Sequence, residues 1–66
     1  AWDGLGGALS AQSRWAEAEA AYTRAILLDP AWSRPYRGRA GVHRARGRLD
    51  DQDADERRAA SLESGD

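Results

Sequence analysis

Apolar side chains recur along the chain at intervals of three and four residues, the spacing of one face of an α-helix. Trp2, Leu5 and Leu9 share the first such stripe, which predicts a helix over residues 2–13. Three glycines in this stretch weaken it, since each costs roughly 0.5–1 kcal/mol relative to alanine inside a helix. We therefore expect the beginning of this helix to be its least stable part.

A second stripe predicts a helix over residues 16–28, whose buried face is Ala18, Tyr22, Ala25 and Ile26. The sequence Asp29-Pro30 ends it, because proline donates no backbone hydrogen bond and disfavours helical geometry in the residue before it. The two stripes are separated by a short turn at Ser13-Arg14-Trp15. Together they predict an antiparallel pair of helices.

The second half of the chain has the same organisation. Ser33 is a plausible N-cap for a third helix that runs to about Arg46, and Gly47 is the expected stop. A fourth helix is predicted over residues 50–62, with Asp50 as its cap. No segment alternates apolar and polar residues as a strand would. The predicted fold is all-α, with four helices in one domain.

The two halves are related by a spacing of 34 residues. Identical pairs at this spacing are Gly4/Gly38, Gly7/Gly41, Ala11/Ala45, Arg14/Arg48, Ala20/Ala54, Arg24/Arg58, Ala25/Ala59 and Leu28/Leu62. A repeat of this length that contains two helices is typical of helical solenoids. The chain is thus interpreted as two repeats, about 1–32 and about 33–66.

The first copy resembles the tetratricopeptide repeat, whose pattern is W-x2-L-G-x2-Y, A-x3-F and P. The residues that carry this resemblance, together with the packing residues around them, are Trp2, Leu5, Gly6, Leu9, Trp15, Ala18, Tyr22, Ala25 and Pro30. Gly6 and Ala18 are small enough for paired helices to approach closely, Leu5 and Leu9 are expected to fill the seam, and the tryptophans to close its ends. The second copy is degenerate: Tyr36 and Ala40 fit the pattern, whereas His43 and Glu56 replace aromatic residues.

Arg39 stands where the second copy would be expected to have a seam leucine. A buried arginine without a partner is very costly, and Asp55 lies at a suitable height on the facing helix. We therefore predict an Arg39–Asp55 ion pair inside the second hairpin. The alternative is that the aliphatic part of Arg39 lies on the surface and its charged end reaches solvent.

The resemblance implies that the first helix of each repeat lines a concave groove that holds a partner peptide or helix. Carried over to this chain, the groove includes Asp3 and Ser10 from the first copy. From the second copy it includes arginines along roughly one stripe: Arg34, Arg37, Arg44 and Arg48. Guanidinium groups bind carboxylates in bidentate fashion, so an acidic peptide is the expected partner. The alternative is a solvated arginine-rich face without a ligand.

Composition argues against several other functions. The net charge of −1 provides no general attraction to nucleic acid or membranes, and the aromatic residues fit a packing role better than a base-stacking platform. A single histidine and no cysteine leave no metal or cofactor site and no legible catalytic pairing. We expect a protein-binding module, not an enzyme, and the lack of cysteine favours a cytoplasmic location.

Self-association is the alternative function. Helical repeats expose apolar flanks that neighbouring repeats normally cover, and about three repeats are usually needed for stability. Trp32, which the repeat pattern does not require, either packs locally on Pro35 or anchors a homo-oligomer. The chain begins without methionine inside an apparent repeat, so we expect it to be a piece of a longer protein.

Overall fold

The computed structural model describes residues 2–65 and consists of four α-helices joined by short turns. They are α1 (Trp2–Ala11), α2 (Trp15–Leu28), α3 (Arg34–Ala45) and α4 (Leu49–Ser64). The predicted all-α fold with four helices is confirmed, and the described residues contain no strand. None of these helices combines the length and the apolar character that a membrane span requires.

The turns inside the two hairpins share one backbone feature. Ser13 follows α1 with φ of +61°, and Gly47 follows α3 with φ of +74°. Both values lie in the left-handed region, which ends a helix and which glycine adopts at little cost. Gly47 therefore acts as the predicted stop, whereas α1 ends at Ala11, earlier than predicted. The two residues are 34 positions apart, so the hairpins turn at equivalent points of the sequence.

Neither predicted helix cap is formed by its side chain. Ser33 does precede α3, but its hydroxyl forms no capping hydrogen bond. The residue that precedes α4 is Arg48, so Asp50 lies within the first turn and is not the cap. An acidic group there is still favourable, because the first turn exposes unpaired backbone N–H groups.

The helices pack in sequence order. α1 pairs with α2, α2 packs on α3, α3 pairs with α4, and α1 also touches α3, while α1 and α4 make no contact in the described chain. One core cluster, joined by Leu9 and Trp15, consists of Ala18, Tyr22 and Val42. A second, joined by Leu62, consists of Ile26, Tyr36 and Ala59. All four residues predicted for the buried face of α2 are buried, whereas Val42 was not predicted.

Tyr22 is held between two glycines from different helices. A Cβ atom added to Gly6 of α1 would lie 2.8 Å from Cε1 of this ring, and one added to Gly38 of α3 would overlap the same ring even more closely. As expected, the small residue at Gly6 allows α1 and α2 to approach each other closely. Gly38 does the same on the other side, which brings α3 against α2.

The structure corrects the placement of Leu5, which was expected in the seam but is 45% exposed. Its counterpart 34 residues later, Arg39, lies between α2 and α4. No helix of the described chain occupies the corresponding side of α1, so Leu5 has nothing to pack against there. Trp2 is also substantially exposed for the same reason, whereas its counterpart Tyr36 is buried.

Candidate functional site

The outer side of α3 is the surface that the sequence analysis assigned to a partner. Arg34, Arg37, Gly41 and Arg44 lie along this side, and all four are exposed. We refer to these four residues as the α3 face. A Cβ atom added to Gly41 would meet nothing within 4 Å, so the middle of the face is open to solvent.

Two arginines of the α3 face are paired with acids on neighbouring helices. Arg34 Nε lies 3.8 Å from Oδ2 of Asp3 on α1, a long contact between a very exposed guanidinium and a mostly covered carboxylate. Arg37 forms a bidentate pair with Glu63 of α4, with Nε 2.6 Å from Oε2. Arg44 has no acidic partner within residues 2–65. Among the described residues, the face therefore offers one unpaired guanidinium (Arg44), one in a long contact (Arg34) and one in a bidentate pair (Arg37).

The Arg37–Glu63 pair shifts the pKa values of both groups. Hydrogen bonds from the Arg37 guanidinium, with a contribution from the Ser33 hydroxyl, lower the pKa of Glu63 from its usual 4.5 to about 2. The same pair raises the pKa of Arg37. Glu63 thus stays ionised even in mild acid, and an acidic partner must compete with it for Arg37.

Two residues predicted for this surface lie elsewhere. Arg48 is not on the α3 stripe, because α3 ends at Ala45 and Gly47 reverses the chain. Its guanidinium lies 3.4 Å from Oε1 of Glu19 on α2. Ser10 is only partly exposed, and its hydroxyl oxygen is buried without a hydrogen-bond partner in the part of the chain that the structure describes. The Ser10 hydroxyl is therefore not presented to a ligand on the surface.

The interior of the second hairpin contains a polar cluster around Asp55. Arg39 donates two hydrogen bonds of 2.8 Å to the two oxygens of Asp55, the partner expected from the sequence, and a third of 3.2 Å to the Thr23 hydroxyl. The Asp55 hydrogen bonds raise the pKa of Arg39. These bonds satisfy an arginine that stands at a core position, so its role is structural.

His43 connects this cluster to α2. Its Nε2 lies 3.2 Å from Oδ2 of Asp55, and its Nδ1 lies 3.3 Å from Oε1 of Glu19. The second contact is close but poorly aligned, so Nδ1 forms no hydrogen bond within the described residues. The same Glu19 oxygen is 3.5 Å from Arg46. The acids and the histidine are therefore committed to internal partners, and no group of three such residues in the described chain is arranged to hold a metal ion.

A second surface feature lies where α1, α2 and the α2–α3 turn meet. It is an open cavity of about 360 Å³, which we call the corner cavity. Its lining residues are Trp2, Asp3, Ala25, Leu28, Asp29 and Trp32. The guanidinium of Arg24 lies over the Trp2 ring, 5.5 Å from its centre. Trp32 was expected either to pack on Pro35 or to anchor an oligomer, and neither alternative predicted a cavity lined by this residue.

Several of these lining residues were expected from the sequence only as packing or turn residues. Trp2 was expected to close the seam, and Asp29 was noted only as the end of α2. The one available signal was Trp32, an aromatic residue that the repeat pattern does not require. Because the cavity combines three separate elements, the spacing within one helix gives no indication of it.

Comparison with protein-family models, curated proteins and solved structures finds no match to this chain. The resemblance to the tetratricopeptide repeat therefore stays a prediction, based on the motif residues and their spacing. The four-helix arrangement is compatible with it.

Proposed function

We propose that this chain is a protein–protein interaction module that binds a peptide or helix of a partner protein along the α3 face, beside α1. The proposal is carried by two features of the α3 face: the open space at Gly41, and the exposed guanidinium of Arg44, which has no acidic partner within residues 2–65. An exposed arginine binds a carboxylate with two parallel hydrogen bonds, which gives direction as well as attraction. An acidic peptide is therefore the preferred partner.

The neighbouring charges favour an acid near Arg44 over an acid near Arg37. Arg37 is already bound by Glu63, so a ligand carboxylate gains little there unless that pair opens. Arg34 is held only at 3.8 Å from Asp3, and its side chain is 73% exposed, so it can turn toward a ligand. The strongest contacts of the partner are thus expected at the two ends of the face.

Charge reversal of Arg44 tests this assignment. Peptides selected for binding from a random-sequence display library serve as probes, and their affinity is measured by isothermal titration. Arg44→Glu removes a charge-assisted contact worth roughly 1.5–3 kcal/mol and adds repulsion, so affinity should fall by at least about tenfold. Helicity, measured by circular dichroism, should not change, because the side chain has no partner inside the described chain.

Arg57→Glu is the matched control. Arg57 is exposed on α4, where it pairs with Asp53 at 2.9 Å, and its reversal changes the net charge by the same amount. This variant should bind the selected peptides within about twofold of the original chain, because rim charges away from a contact have small effects. Equal losses for the two variants would mean that binding responds only to net charge, and the α3 face would be the wrong surface.

Self-association is the second candidate function. Leu27 and Leu28 at the end of α2 are 70% and 69% exposed, and Leu49 at the start of α4 is 65% exposed. Exposed apolar side chains of this size are used in protein contacts when they form a continuous patch. Light scattering over a range of concentrations distinguishes the candidates. The proposed module remains at 7.2 kDa, whereas a self-associating chain increases in mass with concentration and should lose this behaviour in Trp32→Ala.

A further inference from the structure

The corner cavity has walls of two chemical kinds. Ala25, Leu28 and the two indole rings are apolar, while Asp3 and Asp29 contribute carboxylates. We infer that this cavity binds a basic side chain, arginine or lysine, of the partner peptide. The inference rests on the proposed function and identifies the residue type that anchors the partner.

Within residues 2–65, the carboxylates of the cavity have no close hydrogen-bond or ion-pair partner. The Asp3 side chain is only 18% exposed, yet its one ion pair among the described residues is the long 3.8 Å contact with Arg34. Neither Asp3 nor Asp29 accepts a side-chain hydrogen bond in the part of the chain that the structure describes. A partly covered carboxylate without hydrogen bonds loses hydration without compensation. A cation that enters the cavity supplies that compensation, whereas an aliphatic side chain does not.

The indole rings suit the rest of a basic side chain. Arginine and lysine lay their methylene groups along apolar surface while the charged end reaches a polar group, and tryptophan is the most favourable ring for a cation–π contact. Arg24 already lies over Trp2, which shows that this corner accepts a guanidinium against an indole. No other residue of the described chain places a cation over Trp32, so that ring is free for the ligand.

The position of the cavity relative to Arg44 defines the spacing of the partner's charges. Asp3, which lines the cavity, contacts Arg34 at the beginning of α3, and Arg44 lies ten residues further along that helix than Arg34. That separation is roughly 15 Å at 1.5 Å per residue. An extended peptide covers about the same distance in four or five residues. The preferred ligand thus carries a basic residue and an acidic residue about that far apart.

The test uses a synthetic peptide, acetylated and amidated, with one arginine and one aspartate four residues apart. Its relatives replace arginine by citrulline, which is neutral and nearly isosteric, or by norleucine, or replace aspartate by asparagine. Binding is followed by the indole N–H signals in two-dimensional NMR, where Trp32 reports on the cavity. We expect the parent peptide to shift the Trp32 signal and citrulline to weaken affinity about tenfold.

Changing a carboxylate of the cavity, instead of the arginine of the peptide, tests the same contact. Asp29→Asn should weaken binding of the parent peptide and leave the affinity for the citrulline peptide unchanged. The control Asp51→Asn, which neutralises an exposed acid of α4, should change neither affinity. Equal affinity for the arginine, citrulline and norleucine peptides would overturn the inference, since the cavity would then take apolar side chains. If only the asparagine replacement weakens binding, the proposed module survives without the basic anchor. If none of the four peptides binds at millimolar concentration, both proposals are wrong.

Discussion

Gly38 provides the sharpest test of how the helices are packed. A Cβ atom at this position would overlap Cε1 and Cζ of Tyr22 and would lie 2.8 Å from its hydroxyl oxygen. The ring cannot move away easily, because Tyr22 is almost fully buried and Gly6 is pressed against it as well. Gly38→Ala must therefore push α3 away from α2 or force the ring out of its preferred rotamer.

The expected cost follows from two opposing terms. Inserting a methyl group into a close-packed contact costs typically about 1–3 kcal/mol. Replacing glycine by alanine inside a helix stabilises it by roughly 0.5–1 kcal/mol. The two terms leave a net loss of about 0–2.5 kcal/mol. Because the added Cβ would overlap the Tyr22 ring, Gly38→Ala should fall in the upper part of this range and lower the free energy of unfolding by about 1 kcal/mol or more. Gly41→Ala, one turn further along the same helix, gains the helical term without a clash, because its Cβ would meet nothing within 4 Å.

The two alanine variants are compared by thermal and urea unfolding followed by circular dichroism. For a domain of this size, 1 kcal/mol shifts Tm by roughly 4–8 °C. Gly38→Ala should melt below the original chain and Gly41→Ala above it, so the difference between the variants exceeds either shift. Equal stabilisation by both substitutions would refute the close approach of α3 to Tyr22, and with it the arrangement of α2 against α3.

Two further predictions concern ion pairs. Asp55→Ala leaves the partly buried Arg39 unpaired and should cost about 3 kcal/mol of unfolding free energy, whereas Arg39→Leu combined with Asp55→Ala should cost less. Urea unfolding measures both variants. If Asp55→Ala does not lower the free energy of unfolding, the pair does not have this role. The pKa of Glu63 is lowered to about 2 by Arg37, so the stability that it contributes is present above its unfolded value of 4.5 and is lost as pH falls toward 2. Unfolding at several pH values should show a steeper loss of stability in this range for the original chain than for Glu63→Gln, and identical slopes would show that the pair contributes nothing.

The fold was predictable because it depends on local spacing. The stripe of Tyr22, Ala25 and Ile26 determines the buried side of α2, and Pro30 and Gly47 mark ends that hold regardless of tertiary contacts. The errors arise where tertiary surroundings decide. Leu5 has the right spacing for the core, but no helix of the described chain covers its side of α1.

The candidate site was only partly predictable, for a related reason. Helical periodicity correctly groups Arg34, Arg37 and Arg44, since all three belong to one helix. It cannot extend to Arg48, which follows the turn at Gly47. Ion pairing of Arg37 with Glu63 and the corner cavity both join residues more than 25 positions apart in sequence. Such contacts depend on how the two hairpins pack against each other, and short-range sequence spacing does not predict this packing.

The most direct test of the central claim is to find which surface of the chain a bound peptide touches. Amide signals are assigned in the ¹⁵N-labelled chain and followed during titration with a peptide selected from the display library. Glycine amides, which lie in a separate region of the spectrum, are convenient reporters. The account predicts shifts at Gly41 and Arg44 on the α3 face and none at Gly65 beyond α4. Shifts confined to α4 or to the exposed leucines at the end of α2 would contradict it.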